Sequence, residues 1–201
     1  MLCKRLNGVL EMKQSSAIGG FTLIELLVTL VIAAVLMTVA VPSFTAFQRN
    51  SELTSIANSF VASANGARGE AMKRGRYAMV VPADGTNWSS GWVVFVDVDR
   101  TQTYGAGGAD ITVSSAEPPV GYLAVAGNNT ATASPPYLMF DPSGYPKDKS
   151  GTFADSTLEI KRNDVSGAEQ LKQTRRVKIL RTGQVRMCTP VSATDVNCPP
   201  L

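Results

Sequence analysis

The chain has 201 residues, a formal net charge of +3, 17 Gly, 11 Pro and no histidine. That length allows one globular domain with an appendage, and the small net charge demands no nucleic-acid partner for the chain as a whole. Without histidine there is no His-dependent triad, His zinc site or His-ligated haem, and no nucleophile–base pair stands out. The chain reads as non-enzymatic, with no cofactor and no metal ligand set.

A short polar leader comes first, then residues 21–41, an apolar run of 21 positions in which Glu25 is the sole charge. As a helix rising 1.5 Å per residue it spans roughly 30 Å, the thickness of a hydrocarbon core. Lys4, Arg5 and Lys13 outnumber Glu11 in the leader, so the positive-inside bias keeps the leader cytoplasmic and sends the remainder across the membrane. A secretory signal cleaved after Ala40 fits poorly, because signal h-regions run about 7–15 residues. A plain signal anchor fits the length but leaves Glu25 at a cost of about 2.5–3.5 kcal/mol. A cut between Gly20 and Phe21 supplies a partner. The new amine stands four residues from Glu25, and pairing with it, in the same helix or a staggered neighbour's, neutralises both charges and fixes axial register. Glycine before the cut leaves the backbone open to a protease.

Pro42 follows the run, where a kink is expected. Apolar positions at Phe44, Phe47, Leu53, Ile56, Ala57, Phe60, Val61, Ala64, Ala71 and Met72 then recur at helical spacings, so an amphipathic helix continues to Arg74 and ends at Gly75. From Tyr77 the pattern changes to short β-like runs between turn residues. Strands are expected at 77–81, 92–96, 122–125, 137–140, 157–161, 176–180 and 184–188, the last two joined by a Thr182-Gly183 hairpin. Residues 105–108 and 128–136 read as loops. The fold class is α+β, one long N-terminal helix laid on a mostly antiparallel sheet. Four segments follow: 1–20, 21–41, 42–75 and 76–201.

Cys188 and Cys198, with prolines beside them, read as one disulfide in an oxidising compartment. A loop so short contributes about 2–3 kcal/mol. Asp97, Asp99, Thr101 and Thr103 alternate oxygen side chains as a calcium loop does. Gln102 and Gly108, however, replace the glycine and glutamate that an EF-hand needs, so a solvated turn is expected. Residues 161–186 carry eight Lys/Arg against two acids. Arg175, Arg176, Lys178, Arg181 and Arg186 crowd the hairpin and offer either a phosphate-binding edge or a solvated, subunit-contacting face. Aromatic residues are absent from this stretch, so base stacking is unsupported. Trp88 and Trp92 bracket a turn and are expected to pack the sheet. Gly105-Ala106-Gly107-Gly108 lacks the lysine of a phosphate loop.

G-G-F-T-L-I-E-L-L at residues 19–27 resembles the class III signal of type IV prepilins and pseudopilins. The segments 67–75 (A-R-G-E-A-M-K-R-G), 87–97 (N-W-S-S-G-W-V-V-F-V-D), 140–146 (F-D-P-S-G-Y-P) and 182–188 (T-G-Q-V-R-M-C) are similar to the GspH/FimT/FimU group of minor pilins and pseudopilins. The resemblance implies removal of the leader by a prepilin peptidase, N-methylation of Phe21, and assembly with other pilins through the membrane helix, with Glu25 setting register. It places the anchor in the bacterial inner membrane and the body in the periplasm. DNA-binding FimT proteins carry G-R-x-R where this chain has Gly183-Gln184-Val185-Arg186. Of that pair only Arg186 carries over, so DNA is the less favoured partner.

Overall fold

The structure is a computed structural model that describes residues 20–201; residues 1–19, with Cys3 and the charged residues of the leader, lie outside them. The chain divides into two compact units between Thr45 and Ala46. Helix α1 (Leu23–Arg74) supplies all the regular structure among the described residues of the first and opens the second.

In the first unit Thr22 caps the helix, its Oγ1 accepting the Glu25 N–H at 3.2 Å. The hydroxyls of Thr29 and Thr38 donate back to the carbonyls of Leu26 and Val35 at 2.8 and 2.7 Å. The threonine hydroxyls of the apolar stretch are thus satisfied within their own helix, while among the described residues the Glu25 carboxylate finds no partner there. The helix runs through Pro42 without ending there.

The second unit is built on the remaining turns of α1. Leu53, Ala57, Phe60, Ala64, Ala67 and Ala71 are fully buried, one stripe at alternating spacings of four and three. Four of the six are alanines, so the backbone approaches its sheets closely and Phe60 provides the bulk. Phe60 packs edge-on against Trp88 and Trp92 at 5.7 and 5.1 Å. The indole N–H groups donate to the Ala131 carbonyl at 2.8 Å and Ser63 Oγ at 2.9 Å. The two tryptophans therefore pack the core as expected. Phe44, Phe47 and Met72 do not: they are 67, 70 and 46 % exposed. Gly75, at φ +63°, closes α1 with the Arg76 N–H on the Ala71 carbonyl at 3.2 Å, a Schellman ending.

Two four-stranded antiparallel sheets receive the helix, rather than one. The first contains β1 (Tyr77–Pro82), β2 (Trp92–Asp97), β3 (Ile111–Ala116) and β5 (Leu138–Phe140), in the order β3-β2-β1-β5. The second contains β4 (Leu123–Gly127), β6 (Ser156–Arg162), β7 (Thr174–Ile179) and β8 (Val185–Cys188), in the order β4-β6-β7-β8. Their inner faces, including Val80, Val94, Phe140, Leu158, Ile160 and Val177, merge with the helix stripe into one core. Met79, Phe95, Tyr137 and Met139 form a smaller cluster on the opposite face of the first sheet. All seven expected strands are present within two residues at each end. Strand β3 and the short helix α2 (Gly167–Lys172) are additional, as is a turn of 3-10 helix at Asn129–Thr132 inside the expected 128–136 loop.

Three of the segments quoted above meet in space. Arg68 of α1 donates from Nε to the Gly144 carbonyl at 2.9 Å. Gly183, at φ +80°, lets the β7–β8 turn press against the same carbonyl; a Cβ there would lie 2.1 Å from it. The helix, the 140–146 turn and the hairpin are locked by one guanidinium and one missing side chain.

Candidate functional site

The first candidate surface lies at the chain's apolar end. Gly20 and Phe21 precede the first helical residue; a Cβ at Gly20 would meet nothing within 4 Å, and Phe21 is 80 % exposed. Around the following turns Leu23, Ile24, Leu26, Leu27, Leu30 and Val31 are all exposed. A helix apolar on every side is covered in use by lipid or by other helices. The stretch is long and apolar enough to cross a membrane. Glu25 sits in the first turn, where the helix dipole favours a carboxylate. Thr22 and Glu25 thus have the spacing of a capping box, of which the Thr22 half is formed. The T-x-x-E spacing that signals it stands in the sequence directly after the glycine pair.

The second candidate surface is the basic hairpin, and the structure disperses its cations. Arg175 faces the core side: it reaches Asn50 Oδ1 at 2.7 Å and Thr54 Oγ1 at 3.3 Å on α1, and burial lowers its pKa. Arg176 corrects the sequence expectation. It is 4 % exposed, donates from Nε to Glu159 Oε2 at 2.7 Å and from NH1 to the Cys198 carbonyl at 2.6 Å, and so presents no charge to a phosphate. Register and charge explain this: Glu159 stands directly opposite Arg176 on β6, and Lys161 closes on its other oxygen at 3.1 Å. Arg181 is exposed and pairs with Asp155 at 3.3 Å. Lys178 and Arg186 face each other across β7 and β8, and among the described residues neither has a salt-bridge partner.

Cys188 and Cys198 are joined, with their Cα atoms 5.9 Å apart. The tail they close is organised by Asp195, which accepts the N–H groups of Val191, Asn197 and Cys198; these amides hold its carboxyl below the usual range. The loop leaves Val191 and Val196 at 85 and 90 % exposure. In the turn after β2, Arg100, Thr101 and residues 103–109 are exposed, whereas the strand's last residue is not. Asp97 is fully buried, accepting the Thr101 and Gln102 N–H groups at 3.0 and 3.1 Å. Burial pushes its carboxyl up, the Gln102 amide opposes that, and the neighbouring Asp99 and Asp110 carboxylates add to it.

A long N-terminal helix on antiparallel sheets, headed by an exposed apolar segment, defines a pilin-like protein. Residues 57–183 match the family of the type II transport protein GspH, and residues 16–41 match the prokaryotic N-terminal methylation motif. The chain belongs to the GspH family, whose members are pilin and pseudopilin subunits. The type IV minor pilin FimU of Pseudomonas aeruginosa shares the fold at TM-score 0.51 and 17 % identity, over 71 % of this chain and 92 % of that one. The minor pseudopilin EpsH of the Vibrio cholerae Type 2 Secretion System aligns at TM-score 0.47 and 16 % identity, over 70 % of this chain and 99 % of that one. No curated protein sequence matches the chain significantly.

Proposed function

We propose that the chain is a minor subunit of a type IV pilus or type II secretion filament. A prepilin peptidase removes residues 1–20, Phe21 is then methylated, and residues 21–41 pass from the inner membrane into the filament core. Residues 42–75 carry the helix onward, and residues 76–201 form the periplasmic body. The observation that carries this reading is a helix whose apolar side chains are exposed all round, beginning beside a lone carboxylate in its first turn. Neighbouring helices cover that surface, and a neighbour's terminal amine pairs with Glu25. Both charges are then neutralised away from water, which selects one axial register. In cells, Glu25→Ala is expected to be cleaved normally but to be lost from sheared filaments. Filament incorporation equal to wild type would contradict the register role.

A second reading, DNA contact, rests on Lys178 and Arg186. Like charges directly opposite on adjacent strands are unfavourable, and an anion relieves them. If they bind phosphates, the full-length protein in detergent shifts duplex DNA, the shift weakens steeply with salt, and Lys178→Ala with Arg186→Ala abolishes it. The absence of a shift at low ionic strength counts against this reading.

A further inference from the structure

Loops cover the outer face of the first sheet incompletely and leave a groove of about 290 Å³. Met79 and Val81 of β1 line it together with Pro82, Tyr104, Pro135 and Tyr137, so its surface is largely apolar and aromatic. Its parts are fastened to one another. Tyr104 packs on Phe95 with ring centroids 5.0 Å apart and shares a hydrogen bond with Thr112 Oγ1 at 2.8 Å, and the Tyr137 hydroxyl accepts the Lys149 N–H at 3.0 Å. The groove is therefore formed before anything enters it, the condition under which binding loses least.

The groove also carries an uncommitted cation. Lys149 lines it, is exposed, and holds its Nζ 5.1 Å from the Tyr137 ring centroid; no salt bridge among the described residues includes it. Asp84, the one acid that lines the groove, is engaged in its own turn, where Oδ1 accepts the Thr86 and Asn87 N–H groups at 2.8 and 2.7 Å. Aromatic and prolyl walls beside a cation suit an extended, proline-bearing segment that carries a carboxylate. The chain presents such a segment directly after β3. In Glu117-Pro118-Pro119-Val120 only Pro119 is buried; Glu117, Pro118 and Val120 are exposed. A residue that precedes proline is held to extended backbone, so Glu117 and Pro118 are preset toward the polyproline II form. The ends of the segment are anchored. A Cβ at Gly91 would lie 2.2 Å from the Ala116 carbonyl oxygen, and the Val120 carbonyl accepts the Leu123 N–H at 2.8 Å. Glu117, like Lys149, takes part in no salt bridge among the described residues.

We propose that residues 117–120 of one copy of this chain seat in the groove of a second copy, with Pro118 against Tyr104 and Tyr137 and the Glu117 carboxylate at the Lys149 ammonium. Charge selects this pairing. Groove against groove brings two Lys149 cations together and segment against segment two Glu117 carboxylates, whereas groove against segment joins opposite charges that have no other ionic partner. The patches are different, so the contact is heterologous in kind. Its small size makes it weak and reversible. It uses residues of the second unit alone, and so goes beyond the helix-mediated filament and does not rest on it.

The test uses the full-length protein in detergent micelles. A fluorescein-labelled peptide Ala-Glu-Pro-Pro-Val-Gly, the sequence of residues 116–121, is titrated with it and followed by anisotropy. Saturable binding is expected. Tyr104→Ala and Lys149→Glu, each checked for a wild-type circular dichroism spectrum, should weaken it at least about fivefold, as should glutamine in place of the peptide's glutamate on the wild-type protein. A carbodiimide, which joins a carboxylate to an amine with loss of water, is then applied to a mixture of isotope-labelled and unlabelled protein. It should link Glu117 of one copy to Lys149 of another, read as a mixed-isotope peptide after proteolysis. No saturable binding would overturn the proposal, and so would equal affinity for the glutamate and glutamine peptides or for both folded variants. Peptide binding without a mixed-isotope link would overturn the choice of a second copy and leave the groove to an acidic, proline-bearing segment of another protein.

Discussion

At Arg176 and Glu159 two charges sit together with side chains only 5 and 10 % exposed, so removing either partner strands the other in the interior. Arg176→Ala is therefore expected to cost about 3–5 kcal/mol, read by thermal melting of the full-length protein in detergent. Arg186→Ala, on the exposed side of the same hairpin, should stay within about 0.5 kcal/mol. Equal effects would contradict the division of this cluster into buried and exposed cations. The sequence showed the charge excess of residues 161–186 but not its sorting, because that depends on which strand lies opposite. Glu159 lies outside the basic stretch and meets Arg176 only through the β6–β7 register. A second residue-scale expectation concerns pH. The Arg162 guanidinium beside Asp164, with Arg49 contributing, holds that carboxyl below the usual range. A depressed folded pKa gives stability that is present above the unfolded value and lost as pH falls through the folded one. Asp97, whose carboxyl is raised, works the other way: its contribution is full in acid and fades as pH rises through its folded pKa. Melting temperature should thus fall below about pH 4, with a shallower acid slope in Asp164→Asn and a steeper one in Asp97→Asn. Slopes identical to wild type would contradict both assignments.

Among the elements, α1 shows where periodicity succeeds and where it misleads. Leu53, Ala57, Phe60, Ala64 and Ala71 lie on the expected face and are buried, and the helix ends at Gly75 as its αL backbone requires. Phe44 and Phe47 share the apolar pattern yet stay exposed, since periodicity reports a face without saying what lies against it. Phe60, wedged between Trp88 and Trp92, is the bulky residue of the stripe, and Phe60→Ala should cost about 3–5 kcal/mol in the same melting assay. Strand β3 lacks a clear sequence signal for a related reason. Its sequence I-T-V-S-S-A alternates over four residues only, and as an edge with five of six residues exposed it carries no longer apolar run to mark it. The six-residue α2 buries no side chain and lacks any helical stripe. The Thr182-Gly183 turn was legible, but the reason for its glycine was not: the constraint is the Gly144 carbonyl, far away in the chain. Gly183→Ala should destabilise the protein by about 1–3 kcal/mol through that contact and its positive φ, and a neutral effect would argue against the three-way lock.

For the whole molecule, the two compact units have separate chemistry. One is an apolar helix that, among the described residues, nothing in its own unit covers; the other is a closed core of helix and two sheets with a disulfide-bounded tail. Reducing Cys188–Cys198 should lower stability by about 2–3 kcal/mol, and no change on reduction would show that the tail adds nothing to the fold. Family membership was legible because residues 19–27 join a glycine pair, a phenylalanine and a carboxylate at one spacing. The structure sharpens that stretch by giving Thr22 and Glu25 a place in the helix cap. The choice between pilus and secretion filament is not written in residues 19–41, since an apolar N-terminal helix with this signal is common to pilins and pseudopilins. The central claim is that a mature subunit begins at Phe21, and the most direct measurement is the intact mass and N-terminal peptide of the protein recovered from native membranes. The account predicts a chain starting at methylated Phe21. A chain that retains Met1, or one that begins at Val41 after an ordinary signal cleavage, would contradict it.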